Sequence, residues 1–542
     1  MKAFTEPLLS LAGFEEMTKT AEKSSGLISV TGCIDAQKSQ MIYAFGGHRK
    51  NKLIVTFGEQ KAKELYDEYS FFDKEVVYYP SKDVLFYQSD IRGNLLTAER
   101  IRALKAIREK ESVTLVTTFD ALMNTMAPIE KMWENVLTLE QGQLLDLKGI
   151  QAALIRMGYE KEYQVQTMGQ FSVRGGILDV FPLTEENPIR IELWGDEIDT
   201  IRFFDCESQK SIENTDSVSI YPAAELVLSD EEKAGGIEKL KAEAKRVSDK
   251  LRKQMKTEEA HRVSVMADEL TEEWGELSMY AGMDAFLSYF FDERVGLLDY
   301  FNPSDSLIFF DELTRCTEQG KLTETEFSES MKQRLAMGYI LPGQMNGLFT
   351  EKEIVAKLEK YSCIALGALD NKANGLRQLG SYGIHCQSVS PYNNSFELLI
   401  KDLKRYKKNG YRVILLSGSR TRAKRLSEDI TDQGITCFYT ENYDHELSEG
   451  QIMVCYGKVR RGFEYPILKF AVITESDIFG AQQKKKKRHR TYEGEKIQSF
   501  TDLSVGDYVV HENHGLGIYR GIEKLEVDKK VKDYIKIEYQ GG

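Results

Sequence analysis

The sequence predicts a multidomain α/β protein, and three observations carry the prediction. Strand-length apolar segments alternate with helical ones in residues 26–125 and again in 349–478, as in a parallel sheet covered by helices. Between these units, from about Glu134, the hydrophobic period drops to two, and turn clusters such as Gly-Gly and Glu-Asn-Pro separate the runs. From Phe500 onward the pattern is all β, with Gly506, Gly515, Gly517 and Gly521 marking tight turns.

The elements follow in order. Met1–Met17 starts as an amphipathic helix; it lacks the long apolar core and cleavage site of a signal peptide. Leu27–Thr31, Leu53–Phe57 and Ser112–Thr117 read as buried strands. Asn94–Lys110 reads as a helix, with Leu95, Leu96, Ile101, Leu104 and Ile107 along one face. A first α/β domain therefore spans residues 1–135 and resumes over 222–345. The β-rich module of residues 136–221 is inserted into it. That module has a leading helix at Lys148–Met157 and alternating strands in Phe171–Pro182, Ile189–Trp194 and Thr200–Phe204. Long helices fill 230–290, and Ile308–Glu312 ends a buried strand. A smaller α/β domain is expected over 349–478. Its strands are Ile364–Leu369, Arg412–Ser417, Ile452–Tyr456 and Phe470–Thr474, and its helices Phe396–Asn409 and Arg420–Gln433. Residues 479–499 lack periodicity and read as a basic linker. Residues 500–542 form the last unit, in which Asp533–Tyr539 reads as a strand.

Composition narrows the function. Lys and Arg total 72 against 85 Asp and Glu in 542 residues, a net charge of −13. Six positive charges fall in Lys484–Arg490 alone, which leaves −19 on the rest. Such a balance argues against a broadly basic nucleic-acid binder, because phosphate contacts need an excess of Lys and Arg on some face. The run itself reads first as a solvated linker, then as a phosphate contact or the mate of an acidic face. Seven cysteines at 33, 206, 316, 363, 386, 437 and 455 include no C-x-x-C pair. They read as reduced thiols of a cytoplasmic protein, with neither a disulfide framework nor a zinc ribbon. No segment approaches the ~18 apolar residues of a membrane span. His511 and His514, three apart in a glycine-rich turn, are read as structural, and no metal is expected.

Two stretches resemble parts of a nucleotide site. Gly32-Cys-Ile-Asp-Ala-Gln37-Lys38-Ser39 follows a strand and precedes a helix. It matches the phosphate-binding loop at each fixed position except Gln37, which replaces the second glycine. That loop works by closing successive backbone N–H groups around phosphate oxygens. A Gln obstructs the approach, and Asp35 adds negative charge where phosphate would lie. Asp311 and Glu312 end an apolar strand, where a Mg²⁺-binding carboxylate stands in nucleoside triphosphatases; solvated acids at a strand end are the plainer alternative. No catalytic residue is assigned.

On the strand Ile189–Trp194, period two puts Ile189, Ile191 and Leu193 on the core face and Arg190, Glu192 and Trp194 on the other. Phe171 and Val173 likewise oppose Ser172 and Arg174. Arg and Trp side by side on a polar sheet face are the residue types that dominate interfaces. The competing reading packs Trp194 under a helix and pairs Arg190 with an acid.

Three stretches carry a family resemblance. GQFSVRGGILDVFP and PIRIELWGDEIDTIRFF (169–204), with LLDYFNPSDSLIFFDE (297–312), resemble the UvrB excision-repair protein. YGKVRRGFEYPILKFAVITESDIFG (456–480) and LSVGDYVVHENHGLGIYRGIEKLE (503–526) are similar to the bacterial transcription-repair coupling factors. The resemblance covers essentially the whole chain. It implies a degenerate RecA/helicase-like nucleotide-binding sheet with an inserted UvrA-binding domain, a small third domain, and a truncated RNA-polymerase interaction domain forming an incomplete small β-barrel. Arg174, Arg190 and Trp194 fall on the family's UvrA-binding positions and Leu525 on its polymerase-binding position. The implied partners are UvrA and the RNA polymerase β subunit. Double-stranded DNA is expected to be bound mainly by motor domains further along, which also hold ATP and Mg²⁺; no cofactor is expected here. Two departures from UvrB stand out: residues 76–92 are too short for its aromatic β-hairpin, and Gln37 breaks the ATP loop. The expectation is a non-catalytic N-terminal fragment that recruits UvrA to stalled polymerase. The alternative is part of a UvrB-like or helicase-type ATPase acting directly on damaged DNA.

Overall fold

The computed structural model describes residues 1–45, 49–82, 94–276, 283–370, 375–480, 506, 508–511, 515–527 and 530–538. The chain divides into two units, residues 1–88 with 94–481, and residues 89–93 with 482–542. Residues 83–93 and the basic run Lys484–Arg490 lie outside the described residues.

The large unit is built on a parallel sheet. Strands β1 (Gly26–Thr31), β2 (Asn51–Thr56), β3 (Val77–Tyr79) and β4 (Val113–Thr118) alternate with helices that include Asp35–Phe45, Glu59–Tyr69 and Asn94–Glu109. Their continuous apolar character has a direct cause. Leu27, Leu53 and Leu115 face one core while Ile28, Ile54 and Val116 face another, so both faces are buried.

After β4 the chain leaves this sheet for the inserted module. β5 (Leu137–Glu140) pairs with the later β12 (Ser217–Ile220) as a two-stranded antiparallel sheet. Between them lie the helix Leu147–Arg156 and the strands β6 (Glu160–Lys161), β7 (Gln170–Arg174), β8 (Ile177–Val180), β9 (Ile189–Trp194), β10 (Glu197–Phe204) and β11 (Ser211–Thr215). They form one sheet in the order β11-β10-β9-β8-β7-β6, antiparallel except for the β6–β7 pair. Phe171, Leu178, Ile189, Ile191, Ile198 and Ile201 cover its inner face together with Leu154 of the helix. Helices Asp230–Lys253 and Thr257–Glu276 then pack on each other around Leu240, Ala244, Ala260 and Val263. The first of them begins with a capping box between Ser229 and Glu232.

The chain re-enters the first sheet as β13 (Ser306–Asp311), followed by β14 (Ser362–Leu366) and β15 (Gln378–Gly383). The completed sheet has seven strands in the order β15-β1-β14-β13-β2-β4-β3, all parallel. This moves an expected boundary. The strand near Ile364, assigned from sequence to the small third domain, lies between β1 and β13. Its five residues are all buried, so it needs a partner strand on both edges and cover on both faces, which the first sheet supplies.

The smaller α/β sheet therefore starts only at β16 (Gln387–Ser388). It continues with β17 (Arg412–Ser417), β18 (Phe438–Tyr439), β19 (Ile452–Tyr456), β20 (Phe463–Tyr465) and β21 (Phe470–Thr474), in the order β16-β20-β21-β17-β19-β18. One face packs on helices Phe396–Lys408 and Arg420–Asp432 through Leu399, Leu403, Leu426 and Ile430. Its other face, with Ile414, Leu416, Met453 and Phe470, shares an apolar cluster with Phe4, Leu8, Ile28 and Val30. The two α/β lobes are thus joined by a common core, and the N-terminal helix Lys2–Leu9 contributes to it.

In the second unit, β22 (Tyr508–His511), β23 (Gly515–Val527) and β24 (Lys530–Glu538) form an antiparallel sheet. β24 begins three residues before the expected strand start. No helix among the described residues is long and apolar enough to cross a membrane.

Candidate functional site

The outer face of the inserted sheet is a ladder of charges laid down by strand register. The Gly175-Gly176 turn sets β7 against β8, so that Ser172 lies opposite Asp179. Asp179 lies opposite Arg190, and Arg190 opposite Arg202. Directly paired residues share a sheet face, and this row is the polar one that the alternation Arg190, Glu192, Trp194 requires.

Asp179 is the anchor of the row. Its carboxylate is 1% exposed. Arg190 donates to it through Nε at 2.7 Å and Nη2 at 2.8 Å, and Arg174 adds a bond from Nη2 at 2.8 Å. Arg190 Nη2 also donates to Gln209 Oε1 at 2.8 Å, and its guanidinium lies 4.3 Å from the centroid of the buried Phe204 ring. The hydrogen-bonded carboxylate raises the Arg190 pKa further, so the group stays charged. Arg202 and Glu192 make a second two-pronged pair, with Thr200 donating to the same carboxylate. The Arg202 bonds hold the Glu192 carboxyl below the ordinary glutamate range.

The competing reading of this strand holds for Arg190 and fails for Trp194. Arg190 does pair with an acid and keeps only 12% of its side chain exposed. Trp194 is 84% exposed at the end of β9, and no helix among the described residues covers it. Arg174 is intermediate at 36%. The structure brings Arg174 and Arg190 together on one carboxylate. Trp194 stands four residues beyond Arg190, about 13 Å along the strand. The sequence reading placed Glu192 on this face without a partner, and it missed Asp179, Arg202, Phe204 and Gln209. Asp179 alone had a local signal, an acid at an outward position inside the apolar run Ile177–Phe181.

The loop after β1 is occupied by the protein's own groups. Gly32 N–H donates to Ala368 O at 3.2 Å, and Cys33 N–H to Gly367 O at 3.0 Å. Gly32 has φ +76°, and a Cβ there would come within 2.1 Å of Ile384 O. Gln37 is fully buried and its Oε1 accepts from Tyr465 Oη of β20 at 3.2 Å; the same hydroxyl reaches Gln40 at 3.3 Å. Lys38 is caged by three carboxylates, with Nζ at 2.5 Å from Asp311, 3.0 Å from Asp35 and 3.2 Å from Glu312. Burial opposes its charge, but Asp311, Asp35 and Glu312 outweigh it and hold the ammonium above the ordinary lysine range. Ser39 is buried, and its hydroxyl has no partner among the described residues. Glu312 accepts from Ala368 N–H at 3.2 Å, which fastens the acidic strand end to the same crossing segment.

Leu525 sits on β23 opposite Lys532 of β24; its side chain lies outside what the structure describes, as do residues 512–514. No group of three or more His, Cys, Asp or Glu with metal-holding geometry occurs among the described residues, and the seven cysteines are free thiols.

Comparison with known proteins places these features. Residues 137–226 match the family described as UvrB interaction domain, and residues 503–542 match the CarD-like/TRCF RID domain. The transcription-repair-coupling factor of Bacillus subtilis (strain 168) is 30% identical over 493 residues, 90% of this chain and 41% of that protein. Transcription-repair-coupling factors of Staphylococcus epidermidis (strain ATCC 12228 / FDA PCI 1200) and Staphylococcus aureus (strain USA300) are 30% and 28% identical over 95% and 97% of the chain. The chain spans less than half the length of these relatives, 44% for each of the latter two. The match to them runs through both α/β lobes, the inserted sheet and the last β unit, and over nine-tenths of its length the chain is a relative of the transcription-repair-coupling factors.

Proposed function

We propose that this chain is the recruiting region of a transcription-repair coupling factor, binding UvrA through the outer face of the inserted sheet and the RNA polymerase β subunit through residues 500–542. The observation that carries this reading is Trp194. It is a large aromatic side chain, 84% exposed, at the end of a charge ladder, within the segment that matches the UvrB interaction domain. An exposed Trp on the same sheet face as ordered Arg side chains is costly to leave uncovered and is typical of an interface. Arg174 and Trp194 touch the partner, while Arg190 acts by holding Asp179. In the last unit, Leu525 is the position offered to the polymerase.

This region works without a nucleotide in the reading proposed here. Two N–H groups at the start of the loop already serve backbone carbonyls, Gln37 is engaged by Tyr465, and the Lys38 charge is neutralised by three acids. The ATP-driven translocation of DNA belongs to other parts of the full-length protein, and the place of action is the cytoplasm. The test is direct. The purified chain should capture purified UvrA and purified RNA polymerase, each alone, and Trp194→Ala should remove the UvrA arm only. Loss of neither, or of both, would reject the assignment of the inserted sheet.

A further inference from the structure

The free charge around Trp194 is negative. Where β10 meets the turn after β5, a groove of about 680 Å³ opens beside Trp194. Its walls carry Glu140, Glu197, Asp199 and Asp216, and no Lys or Arg among the described residues lines it. The Arg side chains of the sheet do not supply the missing cation. Arg190 and Arg174 are held by Asp179, and Arg202 by Glu192.

Hydrogen bonds tie the turn that walls the groove to its neighbours. Gly142 N–H donates to Ile198 O at 2.8 Å and Gln141 N–H to Asp216 O at 2.9 Å, while Gln141 Nε2 bonds Asp199 O at 2.7 Å. Ile198 N–H returns a bond to Gln143 O at 2.9 Å. The turn is therefore tied to β10 and to the start of β12 by four bonds, and the carboxylates project from fixed backbone. An indole next to four exposed acids has the composition of a site for a guanidinium or ammonium group. The cation stacks on the ring face, and carboxylates meet its N–H donors.

We infer that this groove receives an arginine or lysine side chain of a protein partner, so that Trp194 acts as a cation-binding aromatic rather than as an apolar plug. The four like charges exclude a nucleic-acid backbone from the same place. The inference rests on the reading above only in taking UvrA as the protein that presents the basic residue.

Two measurements separate the inference from that reading. In the first, the whole chain is titrated with a hexa-arginine peptide, with a hexa-glutamate peptide as control, and tryptophan emission is followed. The arginine peptide should give a saturable change that weakens with salt. The change should vanish in Trp194→Phe and fall at least about tenfold in affinity in the triple variant Glu197→Gln/Asp199→Asn/Asp216→Asn. These side chains are exposed, so the variant keeps the fold. Hydrogen exchange of the β9 and β10 amides confirms that. No saturable response, or an equal response in the triple variant, overturns the inference. In the second, the triple variant is compared with the parent for UvrA affinity, and a loss of about tenfold is expected. Peptide binding without any UvrA binding by the parent would reject UvrA as the partner and leave the cation site standing. UvrA binding unchanged by the triple variant would overturn the groove's part in it.

Discussion

Replacing Arg190 and replacing Trp194 should injure different properties, although both lie on one strand and one sheet face. Asp179 is 1% exposed and depends on three N–H bonds, two of them from Arg190. A buried ion stripped of its partner costs about 3–5 kcal/mol. Arg174 remains in Arg190→Ala, which lowers that to roughly 2, and the lost stacking over Phe204 adds about 1 kcal/mol. The sheet should therefore lose about 3 kcal/mol locally. Amide exchange in Ile189–Phe204 should accelerate on the order of 100-fold where it proceeds by local opening. Asp179→Asn in the same background should recover much of the loss, because a neutral amide is cheaper to leave underbonded than a carboxylate. Trp194→Ala removes a side chain that is 84% exposed, so exchange in the same segment should stay within about twofold. UvrA affinity should still fall about thirtyfold, the equivalent of ~2 kcal/mol for a central interface Trp. Exchange unchanged in Arg190→Ala, or a large acceleration in Trp194→Ala, would show that the division between holding and touching is wrong.

Other outcomes follow from the same contacts. Gln37→Gly restores the loop consensus but should create neither ATP binding by equilibrium dialysis nor hydrolysis; it removes an acceptor of Tyr465 and places Gly inside a helix, so the melting temperature should drop by the equivalent of about 1–3 kcal/mol. Gly32→Ala should fold poorly, since its Cβ would meet Ile384 O at 2.1 Å with φ at +76°, and a soluble yield equal to the parent's would contradict the loop geometry. Glu68 lies between the two α/β lobes, accepts the Arg460 N–H at 3.3 Å, and is pushed by burial up to about 7. A carboxyl whose folded pKa is raised favours the fold below its unfolded pKa of about 4.5, and loses that contribution as pH rises through about 7. Glu68→Gln should therefore stabilise the chain at pH 8 by about 2–3 kcal/mol and have little effect at pH 4, as read from denaturant midpoints at the two pH values.

Hydrophobic period alone marked most elements of this protein. The helix at Asn94–Glu109, the strands at Ile189–Trp194 and Arg412–Ser417, and the assignment of Arg190 and Trp194 to the outer face were all legible in it. Period is a local property, fixed by which side of a backbone each residue projects from. Which strand lies next to which is settled by closing long loops between buried edges, and a window of ten residues carries no trace of that. So Ser362–Leu366 was visible as a strand but not as a neighbour of Gly26–Thr31, more than 300 residues earlier. Gln37 could be seen to break a phosphate loop, yet its bond to Tyr465 joins residues 428 positions apart. The charge on Arg190 was plain in the sequence. Only the register of three strands showed that Asp179 consumes it, leaving Trp194 exposed among acids whose charge no arginine of the sheet cancels.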